Sequence, residues 1–198
     1  MRESATSHAI CPGCGHKSAT VRAIPEYHYE ESGLDNVWLR GGVTETTCES
    51  CKSEFVRITR EPQLLQVVAL TLLMEPGYRT GPELRFLRRA CGLTQDDLAN
   101  LLDLRRPTIA EREARRNPGL GFAEDVGLRV VLVKEFQRYI TQPGISALDA
   151  SHRKTLWDFA NFLDKVTGDT PKKTRRAARI TARALQNSWT VECPKKAA

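Results

Sequence analysis

Residues 80–116 read TGPELRFLRRACGLTQDDLANLLDLRRPTIAEREARR. Three short amphipathic patterns follow one another here, with turns too brief for anything but tight mutual packing. The first opens at Pro82, whose fixed φ suits a first helical position. It sets Leu84, Leu87 and Arg88 at helical spacing and stops at Gly92. The second starts at Thr94, whose hydroxyl can cap the helix while Asp97 reaches back as in a capping box. Leu98, Leu101 and Leu102 form its apolar stripe, and Ala99 is small enough to let another helix cross closely. The third follows Leu104-Arg105-Arg106, begins near Pro107-Thr108 and offers Ile109 to the core. Helices joined in this way have the grammar of a helix-turn-helix.

Within that stretch, LTQDDLANLLDLRRPTIAERE (93–113) resembles the DNA-binding domain of the Cro/repressor (Xre) family. The resemblance implies that the second and third helices form the motif and that the third enters a major groove. Arg105, Arg106 and Thr108 would then face base edges or phosphates, Arg being suited to bidentate bonding with guanine. Gln95 would donate to a phosphate, and Arg115 and Arg116 would steer along the backbone. Three departures stand out. Asp103 takes the turn position where the family has Gly, Arg112 replaces an aromatic residue, and Ala110-Glu111 replace a Ser and a basic residue. A carboxylate facing phosphates weakens binding, so the motif's chemistry departs further than its spacing does.

The chain has 198 residues, 40% of them hydrophobic, and a formal charge of +6. That is enough for one large or two small domains with a core. The charge is unevenly spread: residues 171–198 hold eight Lys or Arg against one acid, which leaves residues 1–170 with 22 against 23. The basic balance therefore belongs to the end of the chain, and that end is the part expected to find something anionic. The longest apolar run, Leu64 to Met74, is interrupted by Gln66 and Thr71 and is shorter than the about 20 residues a membrane span needs. MRESATSHAI lacks the apolar segment of a secretory signal, so a cytoplasmic protein with no membrane partner is expected. In that compartment six Cys read as metal ligands or reduced thiols.

Four of the six are paired in spacing. Cys11-Pro-Gly-Cys14 and Cys48-Glu-Ser-Cys51 are two Cys-x-x-Cys knuckles separated by 33 residues, the ligand set of one closed, structural Zn2+. Four thiolates leave no coordination position for water, so no catalysis is expected at this metal. His16 and His28 are the alternative ligands. Cys91 reads as a core residue, and Cys193 has no partner in sequence. Strand-like runs at Ala19–Ile24, Glu26–Glu30, Val37–Arg40 and Glu54–Thr59 surround the knuckles. A segment of about 60 residues with few aliphatic core residues needs such a staple.

The stretch YHYEESGLDNVWL (27–39), the four Cys, the helix that follows and GPELRFLRRACGLTQDDLA are together similar to the MqsA-type (YgiT-like) antitoxin and regulator family. That resemblance covers roughly Cys11 to Ile140. It implies a structural zinc, a homodimer made through the carboxy-terminal domain, operator DNA as partner and, in true antitoxins, a toxin held by the zinc domain. Tyr27, Tyr29 and Trp38 serve either as the core of a small sheet or as partner contacts.

The expected fold class is α+β: a small zinc-bound, β-rich amino-terminal domain, then an all-α helix-turn-helix domain with extra carboxy-terminal helices. The zinc domain takes residues 1–60, and residues 61–140 hold the connecting helix and the helix-turn-helix. Residues 141–170 hold an additional helix, and 171–198 form a basic tail. The connecting helix from Pro62 to Met74 has a broad apolar face that packs either on the helix-turn-helix core or on a second copy. Phe122–Ile140 and Ala147–Val166 read as two further helices, an antiparallel pair or a dimer surface. In the tail, KKTRRAARITARALQNSW reads as a basic helical arm or a solvated segment. Its candidates for nucleic-acid contact are Lys172, Lys173, Arg175, Arg176, Arg179 and Arg183. The function expected is that of a DNA-binding transcriptional regulator that catalyses no reaction, possible antitoxin included. The rival is a zinc-domain adaptor whose helix-turn-helix has become a protein contact surface.

Overall fold

The computed structural model describes residues 7–75, 79–115, 122–145, 147–163, 179–186 and 188–192. It is mixed α+β, with a sheet that carries the four cysteines at one end and a helical part that follows. Strand β1 (Ser7–Ala9) pairs antiparallel with β2 (Ala19–His28), which pairs antiparallel with β3 (Val37–Cys48). The far edge of β3 is shared. Strand β4 (Glu54–Ile58) takes Val43–Thr47, antiparallel, and a later strand takes Val37–Arg40.

The switch between those partners has a local cause. Gly41 and Gly42 lie between the two paired segments with φ of 72° and 69°, backbone that only glycine adopts at little cost. Opposite them, β2 shifts register between Ile24 and Glu26, at Pro25, which has no N–H to give to a ladder.

Helix α1 (Glu61–Met74) is the hub. Nine of its 14 residues are buried, including Leu64, Val67, Val68, Leu72 and Leu73. A helix apolar nearly all round must be covered nearly all round. Here the chain covers it by itself, with α2 (Gly81–Ala90), α5 (Phe122–Ile140) and α6 (Ala150–Leu163) on the helical side and strand residues on the other. One continuous core runs from Tyr29, Leu39 and Val43 of the sheet region through α1 to Leu132 and Phe136 of α5. Tyr29 is thus a core residue. Its hydroxyl donates to Glu61 at the start of α1.

Helices α2, α3 (Gln95–Leu101) and α4 (Arg106–Ala114) follow the boundaries that the sequence patterns set. Thr80 with Glu83, and Thr94 with Asp97, form complete capping boxes on α2 and α3. Both helices end alike. After α2, Gly92 (φ 70°) donates to Arg89 O and Leu93 to Arg88 O; after α3, Asp103 (φ 52°) donates to Asn100 O and Leu104 to Ala99 O. These are Schellman ends, in which a left-handed residue lets two amides satisfy the last carbonyls. Asp103 adopts the left-handed conformation at a position where Gly would do so without strain.

The tail is where the structure departs from expectation. Ile180–Ala184 is strand β5, parallel to β3 at Val37–Arg40, and Trp189–Glu192 is β6, antiparallel to β5. The helical reading of this part of the chain is therefore corrected to a hairpin closing the sheet. Trp189 is buried between that hairpin and α1, and its Nε1 donates to Thr59 O at 2.6 Å. Lys172, Lys173, Arg175, Arg176 and Cys193 lie outside the described residues, as does Arg116. No helix among the described residues is long and apolar enough to cross a membrane.

Candidate functional site

The two knuckles are built to one plan. In the first, Cys11 N donates to His16 O at 2.8 Å and Gly15 N to Cys11 O at 2.9 Å. In the second, Cys48 N donates to Ser53 O at 3.1 Å and Lys52 N to Cys48 O at 2.9 Å. The residue after each second Cys is left-handed, with φ of 73° at Gly15 and 61° at Lys52. Such a turn points both of its thiols to the same side. The sheet then brings the turns together, because Cys48 ends β3 directly opposite Ala19 of β2, and β2 leads back to the first knuckle.

All four Sγ atoms lie within 4.8 Å of one another. Cys11 Sγ is 3.6 Å from Cys51 Sγ, and Cys14 Sγ is 3.7 Å from Cys48 Sγ. Gly13 N donates to Cys11 Sγ at 3.3 Å. The spacing of the Cys pairs thus predicted the cluster. His16 bonds Ser18 and His28 bonds Asp35 O, so neither imidazole replaces a thiol. Beneath the knuckles Cys11, Ala19 and Cys48 form a small buried cluster with Phe55, separate from the main core.

Ionisation at the cluster is divided. A hydrogen bond from Ser53 Oγ and another from its amide bring Cys51 down to about 6, and the amides of Cys51 and Ser50 lower Cys48. Cys14 is pulled down by the amide of His16, but desolvation and the other three thiols outweigh this and push it up to about 12. Four sulfurs this close cannot all carry charge unless a cation sits among them.

The helical part presents a second arrangement. Glu113 of α4 is 2% exposed and Arg88 of α2 is 8% exposed. Arg88 donates to Glu113 through Nε at 2.5 Å and through a terminal nitrogen at 3.1 Å, and it also reaches Leu93 O at 2.7 Å. Gln95, the first residue of α3, donates to the same carboxylate at 2.9 Å. Expected as a phosphate donor, Gln95 is here part of the lock between the three helices. Sequence reasoning missed Glu113. A signal existed: Arg88 falls on the stripe of Leu84 and Leu87, and Glu113 lies one turn after Ile109, so two charges stand on apolar faces.

Arg105 and Arg106 are exposed at the amino-terminal end of α4, and Thr108 is half-buried behind them. Arg106 Nε lies 3.6 Å from Asp96 of α3. Arg115 pairs with Glu111 one turn before it, and Arg112 with Glu124 of α5 at 3.2 Å. Arg183 lies on β5 opposite Arg40, a residue the sequence did not single out, and Arg179, just before β5, bonds Glu26. Compared with family models, curated proteins and solved structures, the chain matches none.

Proposed function

We propose that this protein is a DNA-binding regulator in which α3 and α4 act as a helix-turn-helix and a structural Zn2+ staples the far end of the sheet. The observation that carries the DNA reading is the exposed pair Arg105–Arg106 at the start of α4, on a three-helix unit locked from within by the buried Arg88–Glu113 pair. The first turn of a helix presents its leading side chains ahead of the axis, the position from which a recognition helix reaches base edges. Arg105 and Arg106 are the residues that would contact guanine or phosphate, with Thr108 beside them.

For the metal, the donor set supports zinc. An S4 tetrahedron at zinc's bond length of about 2.3 Å has edges of about 3.8 Å, and two of the sulfur pairs stand at 3.6 and 3.7 Å. Soft thiolates in a closed tetrahedron favour Zn2+ over magnesium or calcium. The ion would supply charge balance and a cross-link, with the chain's own turns setting its geometry.

A second reading, that of a protein-interaction adaptor, draws support from the carboxylates Asp96 and Glu111, which sit against Arg106 and Arg115 and reduce the positive field of the face. Titration of the purified protein against its own upstream DNA separates the two. Arg105→Ala and Arg106→Ala should each weaken cognate binding by roughly 1–3 kcal/mol at fixed salt. Affinity unchanged by both removes α4 from any DNA interface and leaves the adaptor. Elemental analysis should find one zinc per chain, lost in Cys14→Ser/Cys51→Ser.

A further inference from the structure

A cavity of about 310 Å³ opens where the first turns of α1, the last turn of α2 and the end of α5 meet. Leu65 and Gln66 of α1, Arg89 and Ala90 of α2, Tyr139 of α5 and Ile145 of the loop toward α6 line it, and most of that lining is apolar. The walls are held in place from two sides. Gln66 is 7% exposed and uses both ends of its amide on the loop: Nε2 donates to Ile145 O at 2.8 Å, and Oε1 accepts from Ala147 N at 2.9 Å. Gly144, with φ of 76°, turns the same loop, and Ile145 N closes it onto Gln142 O. Across the cavity, the Tyr139 ring lies against the backbone of Gly92, where an added Cβ would stand 2.5 Å from the ring.

Charge in the cavity has one sign. Among the described residues Arg89 is the one charged side chain that lines it, and that guanidinium is exposed with no bonding partner among them. The hydroxyl of Tyr139 has none there either. Glu61, the acid at the start of α1, is engaged by Tyr29 on the side of the sheet and does not line the cavity. A larger cleft of about 530 Å³ that also touches Tyr139 is lined by Asp97, Glu135 and Arg138, two acids to one base, and Arg138 is already bonded to Glu135 at 2.9 Å. An apolar hollow with one unmatched guanidinium suits a molecule that joins an apolar body to a single carboxylate. The body gains from burial, and the guanidinium can fork onto both oxygens. Small-ligand cavities run from roughly 300 to 1,000 Å³, so this one takes a compact guest.

We propose that this cavity binds a small organic monocarboxylate, with the carboxylate on Arg89 and the apolar body against Leu65, Ala90 and Ile145. The site is independent of α4 and of the cysteine cluster: it stands whether or not the helix reads bases.

The test is an amide-resolved NMR titration of the full, zinc-loaded chain with phenylacetate and with phenylacetamide, its uncharged counterpart. Phenylacetate should shift the amides of Leu65, Ala90 and Ile145 along saturable curves while those of Asn100 and Leu101 in the larger cleft stay in place. Phenylacetamide should bind the same residues about ten-fold more weakly, the worth of one charge-assisted contact. Arg89→Gln should bring the acid down to the affinity of the amide and leave the amide's own affinity unchanged, which shows that the cavity is still formed. Equal affinity of acid and amide for the unmutated chain overturns the proposal, as does phenylacetate binding that survives Arg89→Gln. So does the absence of a saturable shift at millimolar phenylacetate, or a shift centred on Asn100 and Leu101.

Discussion

At the scale of single residues, three described positions other than glycine take left-handed backbone, Lys52, Arg60 and Asp103. Lys52 and Asp103 take left-handed φ of 61° and 52°, in turns whose counterparts Gly15 and Gly92 are glycines. The left-handed region costs a non-glycine residue roughly 1–2 kcal/mol, partly offset by the extra freedom glycine regains on unfolding. Lys52→Gly and Asp103→Gly should each raise stability by about 0.5–1 kcal/mol in urea unfolding, and a loss at either would show that its side chain has a contact worth more than the strain. Glu113 is the opposite case, a charge kept where an apolar residue would sit. Burial alone would raise its carboxyl, but hydrogen bonds from Arg88 and Gln95 and the charges of Arg88 and Arg85 outweigh that and hold it below the ordinary range. Glu113→Gln leaves Arg88 buried with no counter-charge and should cost about 3–5 kcal/mol at neutral pH. Because the folded pKa is depressed, that stabilisation is complete above the unfolded value near pH 4.3 and disappears as pH falls through the folded one. The gap between wild type and Glu113→Gln should therefore begin to narrow in urea titrations below about pH 4 and close once the folded carboxyl is protonated. A gap that persists there assigns the loss to packing.

At the scale of elements, the helices were legible because each announces itself locally. Thr94 with Asp97, Pro82, Pro107 and the stripes of α1 and α5 are signals within a few residues of the structure they set. The knuckles were legible for the same reason. The hairpin at the end of the chain was not, since ITARA joins Ala and Arg, both strong helix formers, to a single β-branched pair, and nothing nearby favours a strand. What decides it is an edge some 140 residues earlier, Val37–Arg40, left open when β3 changes partner at Gly41–Gly42. Tyr29 was ambiguous for a related reason, because its partner Glu61 lies on another element. The edge is closed by close approach: a Cβ on Gly42 would stand 2.7 Å from Ala184 Cβ and 2.9 Å from the Trp189 ring. Trp189→Ala should cost about 3–5 kcal/mol, and amide exchange should quicken at Leu39 and Ala182 ahead of α5. Uniform acceleration across the chain would mean that the hairpin and the helices open as one unit.

At the scale of the whole molecule, two apolar clusters of unequal size share one sheet. The larger joins Tyr29, Leu39 and Val43 through α1 to α5, α6 and Trp189, and contains none of the four knuckle cysteines. The smaller consists of Cys11, Ala19 and Cys48 with Phe55 against them, and two of its three buried members are knuckle cysteines. Folding energy from a bound metal should accordingly be spent locally. Without a cation the four thiols cannot share their present spacing as thiolates, and so small a cluster buries too little apolar surface to hold two left-handed turns in place. The large core loses nothing when the metal goes. Chelation should therefore release protection at the amides of Cys11, Gly15, Cys48 and Lys52 while those of α1 and α5 exchange as before. Helical circular dichroism should barely change. A thiol reagent should then reach the four knuckle cysteines but not Cys91, which is buried against Leu132 O with its thiol pushed up to about 12. If the chelator instead removes helical signal and knuckle protection together, the sheet transmits the metal's stabilisation through β3 to α1, and the two clusters form one cooperative unit.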